Sequence, residues 1–184
     1  FRVSSGVGFV SSLARMIERC GTASSIFADA TSAVRTWPRL SEWGQSLLLF
    51  GVFALIAAYL GQHESLFKFS LTDEWRPFIV VAVIAILVPS LAEEMVFRVL
   101  LGGRTGWLRA GIAIAAFVLW HPVQVWLGLP MAQPGFLEPA FLAIVALLGL
   151  VCTVAYRTSG AIWPPVAIHW GTVVLWKAVA AGGD

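Results

Sequence analysis

The sequence predicts an all-α fold, a polytopic transmembrane bundle of about five membrane-spanning helices, from three observations. Of 184 residues, 59% are hydrophobic and 12% charged, against about 25% charged in a soluble domain, and mean hydropathy is +0.84. The apolar residues gather in runs close to the roughly 20 residues that cross about 30 Å of hydrocarbon. Tryptophans, whose rings favour the headgroup level, mark the edges: Trp43, Trp75, Trp107 and Trp163 precede runs, while Trp126 and Trp176 lie near their ends. A closed barrel is the other way to satisfy every backbone group in lipid, but its alternating strands of about ten residues are absent. Net charge is +2 from 12 basic and 10 acidic residues, too balanced and sparse for a nucleic-acid-binding face.

Residues 1–43 are rich in Ser, Thr, Ala and Gly, with arginines scattered among small apolar groups. Val10, Leu13, Ile17 and Cys20 fall near helical spacing. Either an interfacial amphipathic helix over 11–20 or an unstructured tail fits this N-terminal polar segment, and residues 44–184 form the transmembrane helical domain. The first run, Ser46 to Leu60, is short and extends to Gly44 and Gln62. Four more follow, from Pro77 to Leu101, Ala110 to Leu129, Pro139 to Tyr156 and Ala161 to Ala180. Pro89 removes a helical hydrogen bond and predicts a kink in the second. Pro164 and Pro165 suit a helix start after Trp163. Five crossings place Arg35, Arg39, Arg98, Arg104, Arg109 and Arg157 on one side and Lys68, Arg76 and Lys177 on the other. The excess of basic residues assigns the first side to the cytoplasm of a multi-pass integral membrane protein, in the bacterial plasma membrane or its equivalent. Cys20 and Cys152 make no CxxC or metal-type pattern.

Ionisable groups inside a span cost about 2.5 to 3.5 kcal/mol each, so they mark function by default. Lys177 reaches the interface by snorkelling and Arg157 lies just outside its run. Glu93, Glu94, Arg98, His121 and His169 have no such escape. Glu94 and Arg98 are four apart with the acid first, the favourable order for a pair on one helix face. Glu93 points about 100° away from Glu94 and is left free to face a cavity. In the third run Phe117 lies one turn before His121, where its ring shields the imidazole. His169 sits within the fifth run, and Thr172 follows three residues later. Taken singly, each has a bland alternative: an interfacial ion pair, or a histidine used for packing. Three costly sites in one small bundle are harder to explain that way.

The residues also match a chemistry. Peptide hydrolysis needs a base to activate water and donors to stabilise the tetrahedral oxyanion. Glu93, a carboxylate in an apolar cavity, is the candidate base. Two histidines and a glutamate with an open position also form a catalytic zinc set, giving Glu93, His121 and His169 as alternative ligands. No HExxH occurs, and His63, in the nearest approximation His-Glu-Ser-Leu-Phe, is expected in a loop.

Glu-Glu-x-x-x-Arg, then Phe-x-x-x-His, then a membrane-embedded histidine, each on a separate helix, resembles the CPBP family of intramembrane proteases. That family includes CAAX prenyl endopeptidases and bacteriocin-processing or immunity proteins. The stretch from Arg157 to His169 also looks like the family's last motif region, and the resemblance covers roughly residues 77–180. It implies a membrane-embedded endopeptidase acting on membrane-associated, including prenylated, proteins or peptides, without a metal cofactor. By the same resemblance His121 holds the water and passes its proton to the leaving amine. His169 hydrogen-bonds the oxyanion, and Glu94 with Arg98 braces the helix. The sequence departs from the family where an Asn or Asp is usual, four residues after the last histidine: Val173 stands there. Valine neither donates nor accepts a hydrogen bond, and Thr172 points about 100° elsewhere. Val173 therefore also motivates a non-catalytic immunity or scaffold protein that keeps the fold. A proton-coupled transporter is a further class, disfavoured by the low helix count and lack of a repeat.

Overall fold

The computed structural model describes residues 23–66 and 70–179; the expected amphipathic stretch 11–20 lies outside these. Every regular element among the described residues is helical. We label them α1 (Ala23–Arg35), α2 (Leu40–His63), α3 (Trp75–Gly102), α4 (Trp107–Trp126), α5 (Pro139–Ser159) and α6 (Trp163–Val179). Four of them, α2 to α5, are long and apolar enough to cross a membrane. The fifth predicted run forms α6, which has 17 residues, about 25 Å at 1.5 Å per residue. His63 is the last residue of α2 rather than a loop residue, and its ring pairs with Glu64 at the surface.

Helix α3 bends where Pro89 predicts. Val88 leaves the helical region (φ −133°, ψ 115°), and the segment Ile86–Leu91 is wound in wider turns before Ala92–Glu94 resumes as α-helix. The indole of Trp170 on α6 donates to the carbonyl of Ala82 (2.8 Å), fastening the first half of α3 to α6. This explains a tryptophan that does not fit an interfacial belt.

Helix α5 is the centre, packed on α2, α4 and α6. Its buried Ile144, Val145, Leu148, Val151, Cys152 and Ala155 join Phe53, Phe97, Phe117 and Ile168 in the main core. Pro139 opens it, at the first-turn position where no N–H is needed. Gly149 lets α4 approach closely, since a Cβ there would lie 3.3 Å from Ile114 and Phe117. Gly160 ends α5 in the left-handed conformation (φ +68°).

The chain ends of the helices fall in two sets. At one end, Arg157 donates to the carbonyls of Gly103, Thr105 and Gly106. Arg109 donates to those of Leu100 and Leu101, and Arg104 lies against Gly160. Helix α1 joins this end through the Ile162 N–H to the Ala33 carbonyl and the Trp163 indole to the Val34 carbonyl. At the other end, Ser70 and Thr72 bond the carbonyls of Val179 and Ala178, near the 127–138 connection. Arg98 is a correction to the sequence-based grouping: it is 1% exposed inside the bundle and is no loop charge.

Replacing Gly160 with Ala forces a Cβ into left-handed backbone at about 1–2 kcal/mol, so Gly160→Ala is expected to lower the thermal unfolding midpoint in detergent. Gly111→Ala, in α4 with open space around its Cα, is expected to leave the midpoint unchanged or raise it.

Candidate active site

Glu94 sits at the crossing of three helices and is fully buried. Its Oε2 pairs with Nε of Arg98 at 2.9 Å, one turn along α3. Its Oε1 accepts from Nη2 of Arg98 (3.4 Å) and stands 2.9 Å from Nδ1 of His169 on α6. The guanidinium of Arg98 in turn lies over the ring of Phe117 on α4, 4.3 Å from its centroid, a cation–π contact. The sequence-based pairing of Glu94 with Arg98 is therefore present, with a second partner, His169, which spacing along one helix cannot reveal.

Glu93 points the other way, as the 100° per residue of a helix requires. Its Oε1 accepts from the indole Nε1 of Trp120 (2.9 Å) and the amide Nε2 of Gln124 (3.3 Å), both on α4. Its Oε2 lies 3.9 Å from Nε2 of His169. Trp120 and Gln124 are site residues that motif spacing misses. The available signals were an indole inside a span and an amide one turn beyond Trp120.

His121 is buried, and its Nδ1 lies 3.0 Å from the Phe117 carbonyl. A carbonyl only accepts, so Nδ1 carries the proton and Nε2 is the open nitrogen. The same logic applies to His169, where Nδ1–H faces the Glu94 carboxylate and Nε2 faces Glu93. The Phe117 ring meets both imidazoles edge-on, with centroids 5.0 Å from His121 and 5.8 Å from His169. The expected shield of one histidine thus contacts both.

Glu93, His121 and His169 line a cavity of about 470 Å³, with Trp120, Gln124, Phe136, Phe141, Val173 and Trp176 among its walls. Thr172 lines it too, but its hydroxyl donates to the Ile168 carbonyl of its own helix (2.8 Å). That bond takes the proton a substrate oxyanion would need. Among the described residues no group of three His, Cys, Asp or Glu side chains is placed to hold a metal ion. Nδ1 of His169 is already occupied by Glu94, and Nδ1 of His121 by a main-chain carbonyl. Cys152 is fully buried behind the site and donates weakly to the Pro165 carbonyl at 3.6 Å.

Residues 75–175 match the family described as Type II CAAX prenyl endopeptidase Rce1-like. No curated protein and no solved structure matches the chain.

Removing one partner of a buried ion pair costs about 3–5 kcal/mol because the other charge is stranded. Glu94→Gln and Arg98→Met are each expected to lower unfolding stability by that order. The double variant is expected to lose less than the sum of the two, a coupling that a double-mutant cycle measures.

Proposed function

The chain belongs to the Rce1-like family of type II CAAX prenyl endopeptidases, a protease family, and from that we propose that it is an intramembrane endopeptidase of membrane-associated proteins or peptides. The observation that carries this reading is the convergence of Glu93, His121 and His169, from three helices, on one cavity. The cavity reaches the outer surface of α3 at Ile84 and Val88, which are half exposed, so a substrate held in the bilayer has a lateral approach.

In the proposed reaction a water sits against the free oxygen of Glu93. Glu93 takes its proton as the water oxygen attacks the scissile carbonyl carbon. The carbonyl π electrons move onto oxygen, and that oxyanion accepts a hydrogen bond from Nε2 of His169. For Nε2 to donate, the ring carries protons on both nitrogens, and Glu94 is the anion that balances this charge. His121, with Nε2 open to the cavity, orients the water and relays a proton to the leaving nitrogen. The carbon–nitrogen bond then breaks to give a carboxylate and an amine. Val173 leaves the usual second oxyanion donor missing. Gln124 supports the step in its place: its amide has two N–H bonds, of which the contact to Glu93 uses one. No step needs a metal, and this preference rests on the family resemblance alone, since Nε2 of both histidines is open and an Nδ1–H held by a carboxylate or carbonyl also suits a zinc-bound imidazole. Stoichiometric zinc in purified protein, with activity lost to chelation and restored by zinc, would overturn it.

Val173 also supports a second reading, a non-catalytic membrane protein of the same fold. The two separate on purified protein in liposomes with membrane-anchored peptides, one of them prenylated and one acylated. Glu93→Gln and His121→Ala are expected to slow cleavage by about 10²- to 10⁴-fold without changing the unfolding midpoint by more than a few degrees. An inactive wild type on every such peptide favours the non-catalytic reading, and variants that cleave as well as the wild type overturn the roles given to Glu93 and His121. Gln124→Ala is expected to lower kcat by about 10²-fold, the loss typical of one oxyanion donor. Val173→Asn is expected to restore part of that loss.

A further inference from the structure

Lys177 is a charge on the cavity wall that the proposed reaction does not use. Among the described residues lining that cavity, Glu93 is the only carboxylate and Lys177 the only lysine or arginine. Apart from His121, His169, Gln124, Gln133 and Thr172, the other walls are aliphatic or aromatic. The sequence-based expectation is that Lys177 snorkels to the interface. The structure places it, partly buried, on the cavity wall in the last turn of α6, one residue after Trp176. Its ammonium makes no ion pair with any described residue. Attraction between opposite charges strengthens as water is excluded, so an ammonium against apolar walls is a strong receiver for an anion brought into the cavity.

Spacing along α6 sets where that anion lies. His169 marks the position of the scissile bond, because its Nε2 donates to the oxyanion in the proposed reaction. Lys177 follows it by eight residues of continuous helix, about 12 Å at roughly 1.5 Å per residue. An extended peptide covers that distance in about three or four residues. We propose that Lys177 is a specificity-determining residue, which receives a carboxylate of the substrate about three or four residues from the bond cut at Glu93. The carboxylate is the peptide's own terminal one or an Asp or Glu side chain at that distance, and both present the same group to the ammonium. This inference deepens the protease reading and rests on it for the bond that is cut. The carboxylate site itself rests on cavity and charge.

The site is read without catalysis, by titration calorimetry of purified protein in lipid nanodiscs with apolar tetrapeptides. One has a free terminal carboxylate, one is amidated, and one is amidated with Glu at its last position. The wild type is expected to bind a carboxylate peptide about tenfold more tightly than the neutral amide, the size of one charge-assisted hydrogen bond. Preference for one of the two carboxylates over the other identifies the source. Lys177→Met is expected to bind the three alike, and Lys177→Arg to keep the preference. A lysine that merely suits the negative end of the α6 dipole does not discriminate among the peptides. Equal binding of all three by the wild type, absence of binding included, or a preference that survives Lys177→Met, overturns the inference. If the preference is as expected but the wild type cleaves no anchored peptide, the carboxylate site stands and the protease reading falls. If the wild type cleaves such peptides without the preference, the role of Lys177 falls alone.

Discussion

The Glu94 carboxylate is the constraint around which the bundle is arranged. A charge in hydrocarbon survives only when paired and hydrogen-bonded, and Glu94 meets that demand from two helices, with Arg98 on α3 and His169 on α6. Arg98 passes the constraint to α4 by lying on the face of Phe117. Three helices are therefore held in one register by a single buried anion. Its neighbour Glu93 is turned by about 100° into the cavity, where Trp120 and Gln124 fix one oxygen. One residue step along the helix thus separates a carboxylate that ties helices together from one that faces the cavity.

The same geometry accounts for the two histidines. Each has its Nδ1 engaged by an acceptor, Phe117 O for His121 and Glu94 for His169, which fixes ring orientation and presents Nε2. Phe117 packs edge-on against both. A ring at that position does more than shield His121: it is the spacer that sets the distance between the two imidazoles. Val173 puts an apolar side chain on the cavity wall, and Gln124, from α4, lines the same cavity with an amide.

Much of this is legible in one dimension and some is not. The spans follow from composition, because lipid forces apolar runs to become helices. The kink at Pro89 follows from a missing N–H, and the Glu94–Arg98 pair from helical spacing. Contacts between helices depend on packing register, which periodicity does not encode. His169 on Glu94 and Gln124 on Glu93 were hidden for that reason, and so was the central role of α5, which carries none of Glu93, His121 and His169. Trp120 and Trp170 were half visible as indoles away from the interface, and each has an internal acceptor. Helix α1 was hidden differently: its Ser, Thr and Ala residues look like a tail, yet Ala33 is buried with Val99, Tyr156 and Ile162. Thr172 was read as a spare donor because its hydroxyl's bond to Ile168 is a local choice that sequence leaves open.

The measurement that bears most directly on this account is the protonation of the histidine ring nitrogens, by ¹⁵N NMR of histidine-labelled protein in micelles. With Glu94 organising the site, Nδ1 of His169 is protonated in the wild type, and the Glu94→Leu variant, which has no acceptor there, loses that signature while His121 keeps its own. A bare Nδ1 on His169 in the wild type, or a His169 spectrum unchanged by Glu94→Leu, would contradict the claim that this buried carboxylate organises the site.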